Sequence, residues 1–198
     1  FSDELVSRIL VAAENAGIRA FIILNKADLT DRLPRAVERT IPFEAAGYAV
    51  IKLSARADIS PILPRLSGES TVLVGQSGMG KSTLLNALVP GINAKTREIS
   101  RFLSSGKHTT THTSAYAIDP RSTIIDCPGV QEFGLAHLDW RQIAHGFREF
   151  SAHGDKCRFP NCRHITEPGC RVSQAADQGS IAARRLELYR RIISAERR

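Results

Sequence analysis

No stretch of this 198-residue chain approaches the roughly twenty consecutive apolar residues that span a bilayer; runs such as Phe21 to Leu24 and Thr71 to Val74 are the length of a strand. A membrane partner is therefore not expected. The sequence does not open with a charged start, an apolar segment and a small-residue cleavage site, so no secretory leader is read and a cytoplasmic address is the expectation. It carries no internal repeat, low-complexity tract or long linker. Cysteine is scarce: of four, Cys157, Cys162 and Cys170 crowd one stretch around His164, and Cys127 stands apart. That distribution suits a metal site in a reducing compartment better than paired disulfides.

What is present is ordinary for a globular protein, 42% hydrophobic and 24% charged, with length for one domain and a small appendage. The formal charge of +7 favours a polyanionic partner, because clustered Lys and Arg displace counterions from phosphates, although a merely solvated basic surface has the same composition.

Helix and strand alternate along the chain. An amphipathic helix over Asp3 to Ala16 leads to a strand at Phe21 to Leu24; a helix over Pro34 to Ala46 leads to a strand at Tyr48 to Leu53. A strand at Thr71 to Val74, a glycine loop and a helix over Ser82 to Val89 follow, then an aperiodic Ser/Thr/Lys-rich loop from Asn93 to Thr113. Two strands come next, Ser114 to Ile118 and Ser122 to Ile125, and then helical patterning over Leu138 to Phe150. The last helix, Ser180 to Ala195, carries Arg184, Arg185, Arg190 and Arg191 as a candidate phosphate-binding face. Such alternation predicts an α/β fold with a mostly parallel sheet.

The glycine loop reads Gly75-Gln76-Ser77-Gly78-Met79-Gly80-Lys81-Ser82, followed by Thr83, and fits the P-loop spacing between strand and helix. Glycines let backbone N–H groups turn towards phosphates, Lys81 reaches the β and γ phosphates, and Ser82 is a Mg²⁺ ligand. Asn25-Lys26-Ala27-Asp28 closes an earlier strand; the Asp28 carboxylate offers an acceptor pair to the N1–H and amine of guanine, which adenine lacks. Ser54-Ala55-Arg56, at the next strand end, is the candidate companion loop for the base. Downstream, Asp126-Cys127-Pro128-Gly129 has the form of a second switch, with Asp126 holding Mg²⁺ through water and the Gly129 N–H on the γ phosphate. Gly106-Lys107-His108-Thr109-Thr110-Thr111 takes the place of the first switch, where Thr110 is the favoured second ligand to Mg²⁺. The base-reading loops precede the P-loop, so the order is circularly permuted.

Cys157-xxxx-Cys162-x-His164-xxxxx-Cys170 supplies three thiolates and an imidazole, a closed tetrahedral set for one structural Zn²⁺. The expectation is a circularly permuted, Rossmann-like P-loop GTPase domain over 1–145 and a small, mainly helical zinc-binding domain over 146–198.

These motifs in this order resemble the bacterial small-subunit-dependent GTPase family RsgA, also called YjeQ. The resemblance covers essentially the whole chain. It implies a monomeric GTPase that acts late in small (30S) ribosomal subunit maturation, contacts ribosomal RNA and is stimulated by that subunit. It also implies an N-terminal OB-fold domain; no five short strands precede the helix at Asp3, and without an initiating Met the chain reads as a shortened form. The family's second switch has Thr where this chain has Cys127. The glutamine that many small GTPases place after the switch glycine is here Val130, so His108, the histidine of the family's Gly-x-His-Thr-Thr-Thr run, becomes the candidate for orienting water. Two other readings stay open: a zinc-stabilised RNA-binding module that uses GTP only as a state sensor, and a permuted GTPase of large-subunit assembly, which leaves the cysteine cluster unexplained.

Overall fold

A computed structural model describes residues 1–92, 113–127, 130 and 132–196. By packing, the chain forms two compact units, one from residues 1, 23–35 and 51–131, the other from 2–22, 36–50 and 132–198. The cut between 145 and 146 divides the chain by motif; the packing units each take segments from more than one stretch of sequence.

The first unit is built around the strand that feeds the P-loop. β3 (Ser70–Leu73) pairs in parallel with β5 (Ser122–Asp126), bringing Leu73 opposite Asp126. β4 (Ser114–Asp119) pairs antiparallel with β5, giving the order β3-β5-β4. That hairpin departs from the mostly parallel sheet expected. Its two-residue connection at Pro120-Arg121 permits only an antiparallel return, and Asp119 Oδ1 accepts the Arg121 N–H at 2.8 Å to close the turn. The helix after the P-loop, Lys81–Leu88, buries Leu84, Leu85 and Leu88, the spacing of one helical face.

β1 (Ile22–Leu24) and β2 (Val50–Lys52) form a two-stranded sheet, and the Leu53 N–H reaches the Leu24 carbonyl at 3.1 Å. The single helix expected over Pro34 to Ala46 is two, Leu33–Glu38 and Ile41–Ala45. Pro42 has no N–H to give to the preceding turn, so the helix restarts with proline in its first turn.

The second unit is helical. α1 (Asp3–Asn15) begins at Ser2, whose hydroxyl caps the Leu5 N–H at 3.2 Å, and its first turn carries Asp3 and Glu4 against the helix dipole. The patterning over Leu138 to Phe150 resolves into a helix at Trp140–His145, started by an Asp139/Gln142 capping box, and a short 3-10 turn at Arg148–Phe150. The last helix, Ala183–Glu196, buries Arg185, Leu188, Tyr189 and Ile192 along one stripe. Leu10, Val11, Phe43, Ile143, Phe147 and Phe150 belong to the same core, with Tyr189 edge-on to Phe147 at 5.3 Å and to Phe150 at 5.1 Å. Among the described residues, no helix is long and apolar enough to cross a membrane.

Candidate nucleotide and metal sites

The P-loop turns through Gly78 at φ 79° and Gly80 at φ 91°, left-handed conformations that glycine adopts without a side-chain clash. Lys81 lies at the start of the helix with its ammonium over the loop, donating to the Gly75 carbonyl at 2.6 Å and to Gln76 at 3.2 Å. Burial lowers its pKa from the usual lysine value, opposed by the negative charge of Asp126. Asp126 shows the converse: burial raises its carboxyl and Lys81 opposes the rise. Asp126 Oδ1 is buried and accepts no hydrogen bond among the described residues. A buried carboxylate oxygen without a donor, close to a lysine and a helix N-terminus, fits a hydrated Mg²⁺ carried in by a nucleotide. The Cys127 N–H bonds the Leu73 carbonyl at 3.3 Å and the Val130 N–H bonds the Gly75 carbonyl at 3.2 Å.

The candidate base-reading loop is joined to the phosphate loop by two side chains, Asn25 and Lys26. Asn25 Oδ1 accepts the Ala55 N–H at 3.0 Å and the Lys26 N–H at 2.8 Å, while Nδ2 donates to the Met79 carbonyl at 3.0 Å. Lys26, itself at φ 66°, adds a bond from its ammonium to the Gly78 carbonyl at 2.8 Å. The Ala27 N–H holds the Leu53 carbonyl at 3.0 Å. Asp28 is exposed rather than buried, and the Ser54 hydroxyl is the largest cause that keeps its carboxyl below the ordinary value, followed by its own backbone N–H. Ser54 and Ala55 are buried and Arg56 is exposed. Sequence grouped Asn25 with the base; its role as a clip between loops was not legible, since the signal lies in a contact to residue 79. Ser82 and Thr83 sit half-buried in the first turn of the helix, and Ser77 and Met79 are exposed on the loop. His108 and Thr110, with the rest of 93–112, and Gly129 lie outside the described residues.

In the helical unit, the ligand atoms of Cys157, Cys162, His164 and Cys170 all lie within 4.8 Å of one another. His164 Nδ1 stands 3.6 Å from Cys157 Sγ and 3.4 Å from Cys170 Sγ. Tetrahedral zinc, with bonds of about 2.3 Å to sulfur and about 2.1 Å to nitrogen, spaces such atoms about 3.6 Å apart. The group therefore fits one zinc ion. Each thiol also receives a backbone N–H: Cys157 from Arg171 at 3.3 Å, Cys170 from Ser173 at 3.4 Å, and Cys162 from His164. Burial pushes the Cys162 thiol up to about 12 without a cation beside it, the situation that a bound metal reverses.

Sequence missed three supports of this cluster. The Glu167 carboxylate accepts N–H groups of the ligand loop, the Tyr189 hydroxyl donates to the Arg163 carbonyl at 2.8 Å, and Arg190 Nε donates to the His164 carbonyl at 3.2 Å. The four-arginine face of the last helix is accordingly not one surface. Arg185 is 1% exposed and forms a bidentate pair with Glu149, at 2.6 and 3.3 Å, while Arg190 also bonds Ser173. Arg184 pairs with Asp3 and Glu187, and Arg191 is exposed beside Glu187.

The sequence model of the RsgA GTPase family matches residues 1–136. The chain belongs to the RsgA GTPase family. Two curated relatives called small ribosomal subunit biogenesis GTPase RsgA are 46% identical over 194 residues (Nitrosospira multiformis) and 49% identical over 193 (Nitrosomonas europaea). The matches cover 98% and 96% of this chain but 62% of each relative, so the chain spans under two thirds of their length. Among solved structures it is similar to YjeQ from Thermotoga maritima, with TM-score 0.82 and 28% identity over 99% of this chain and 66% of that one. It is also similar to YloQ, described as a circularly permuted GTPase, with TM-score 0.77 and 26% identity over 100% of this chain and 63% of that one. The fold is that of a circularly permuted GTPase with a Cys/His cluster beyond it.

Proposed function

We propose that this RsgA-family chain binds GTP and hydrolyses it to GDP and phosphate as a factor in late maturation of the small ribosomal subunit, with turnover stimulated by that subunit. The observation that carries the reading is the Asn25 clip, which ties a guanine-type loop, its companion loop and a P-loop into one constellation. The relatives' names supply the ribosomal context. In this reading residues 1–145 hold the nucleotide and 146–198 the zinc, the chain works as a cytoplasmic monomer, and ribosomal RNA is the polyanion met by its positive charge.

Asp28 takes the two guanine donors, with Lys26 and Ala27 shaping that loop and Ser54, Ala55 and Arg56 closing over the base. Gly75 to Gly80 present N–H groups to the phosphates, Lys81 neutralises the β and γ oxygens, and Ser82 and Thr83 line the α and β side. Ser82, Thr110 and Asp126 would hold Mg²⁺, which would supply charge neutralisation to the phosphates. The Gly129 N–H reads the γ phosphate. Val130 cannot hydrogen-bond the attacking water, so His108 is assigned to orient it. Cys157, Cys162, His164 and Cys170 hold a zinc with no open position, a structural rather than a catalytic ion.

The deciding measurement is phosphate release from GTP with and without purified small subunits, on a form extended to the length of the relatives. Stimulated release is expected in the wild type and lost in His108→Ala, which should still bind GTP. Tight GTP binding with no stimulation would leave the sensor module, in which nucleotide state is read but not turned over.

A further inference from the structure

We propose that Glu167 is the positioning residue of the metal loop, holding His164 in the backbone conformation that directs Nδ1 towards the thiols. The inference rests on the reading of Cys157, Cys162, His164 and Cys170 as a metal site. It concerns a residue that contributes no ligand atom to that set.

His164 has φ 58°, in the left-handed region that a residue with a Cβ rarely occupies unless its surroundings impose it. The donors on either side of it converge on one carboxylate. Glu167 Oε1 accepts the Arg163 N–H at 3.1 Å, and Oε2 accepts the Ile165 N–H at 2.8 Å and the Thr166 N–H at 3.1 Å. Backbone N–H groups around a left-handed residue form a concavity suited to an anion, and here the chain's own side chain fills it. These donors hold the Glu167 carboxyl below the usual range although burial works the other way.

The carbonyls of the same segment are fixed from the opposite direction, by the Tyr189 hydroxyl on Arg163 and the Arg190 guanidinium on His164. Glu167 thus takes the N–H groups of residues 163, 165 and 166, and the N–H of His164 is left to bond the Cys162 thiol. Without the carboxylate, three N–H groups lose their acceptor and the left-handed conformation of His164 loses much of its support against relaxation to the right-handed region. That relaxation would turn the imidazole away from Cys157 and Cys170, now 3.6 and 3.4 Å from Nδ1.

The test uses the full chain with cobalt(II) as an optical probe of the tetrahedral site, in wild type, Glu167→Ala and Glu167→Gln, with far-UV circular dichroism to establish folding. Affinity from chelator competition is expected to fall 10- to 100-fold in Glu167→Ala, the usual loss when an outer partner of a metal ligand is removed. Its d–d bands should shift and weaken as the tetrahedron distorts. Glu167→Gln keeps an amide oxygen for the Ile165 and Thr166 donors and should lose less. If Glu167→Ala does not fold, Glu167→Gln decides: lowered affinity with shifted bands supports the assignment, and wild-type values overturn it. Wild-type affinity and spectrum in folded Glu167→Ala overturn it, as does a Glu167→Gln loss equal to that of Glu167→Ala. No cobalt binding by the wild type overturns the metal reading itself, an outcome distinct from failure of the Glu167 assignment alone.

Discussion

The side-chain oxygen of Asn25 accepts the backbone N–H of Ala55 at 3.0 Å, thirty residues away, while its amide nitrogen holds the Met79 carbonyl. One short side chain thereby links the loops assigned to the base to the loop assigned to the phosphates, beside the Lys26 bond to Gly78. Pre-set spacing matters because a nucleotide must meet both at once.

Asn25→Ala removes both inter-loop bonds. At about 0.5–1.5 kcal/mol each, GTP and GDP affinity should fall roughly 5- to 150-fold, with little change in melting temperature because Asn25 is not part of a core. Titration of a fluorescent guanine nucleotide measures the first and a thermal melt the second. Unchanged affinity would mean that the loops are positioned by other contacts.

Asp28→Asn should move preference from guanine towards xanthine. It places an amide donor opposite the guanine donors, a mismatch of a few kcal/mol. The Ser54 hydroxyl keeps the wild-type carboxyl below its ordinary value of 3.8, so the charged form persists to lower pH than in a free aspartate. Selectivity should therefore be flat from about pH 5 to 8 and fade only as pH drops through that depressed value. Competition between GTP and XTP in wild type and variant, repeated across pH, checks both parts.

The sequence made the chemistry more legible than the packing. P-loop, base loops and metal ligands are local strings, and Asn25 joins the first two while the Cys/His ligand atoms lie within 4.8 Å of one another. The fate of the arginines was not local. Arg185 shares the period of Leu188, Tyr189 and Ile192, a sign of burial that its charge disguised. Whether such a residue is solvated or buried depends on a partner such as Glu149, which sits 36 positions earlier in a segment with no motif. Glu167 was hidden similarly: a glutamate between ligands carries no mark of accepting three backbone donors.

Metal removal should loosen the helical unit. Purified without chelator, the chain should contain one zinc ion, and stripping it should lower the melting temperature and expose the amides of 157–173 to exchange, since ligand preorganisation couples metal affinity to folding. Cys162→Ser should do the same. Elemental analysis showing no metal, or hydrogen exchange unaffected by chelation, would contradict the assignment.

The arginines of the last helix should separate into two classes when tested against both stability and RNA. Arg185 is buried against Glu149, Ser7 and Phe147, and removing one partner of a buried pair leaves the other charge uncompensated, at about 3–5 kcal/mol. In a chain of this size each kcal/mol shifts the melting temperature by about 2–4 °C, so Arg185→Met should melt roughly 6–20 °C lower. Arg191 is 56% exposed and shares Glu187 with Arg184, an arrangement worth little to stability, so Arg191→Ala should melt like wild type. Binding of small ribosomal subunits across a salt series gives the second readout. If Arg191 meets an RNA phosphate, its loss should reduce the slope of log K against log salt by about 1, whereas Arg185→Met, held below its melting temperature, should leave the slope unchanged. A reduced slope for Arg185→Met with an unchanged melt would mean that the buried pair opens on the ribosome, and the surface assigned to RNA would have to be redrawn around it.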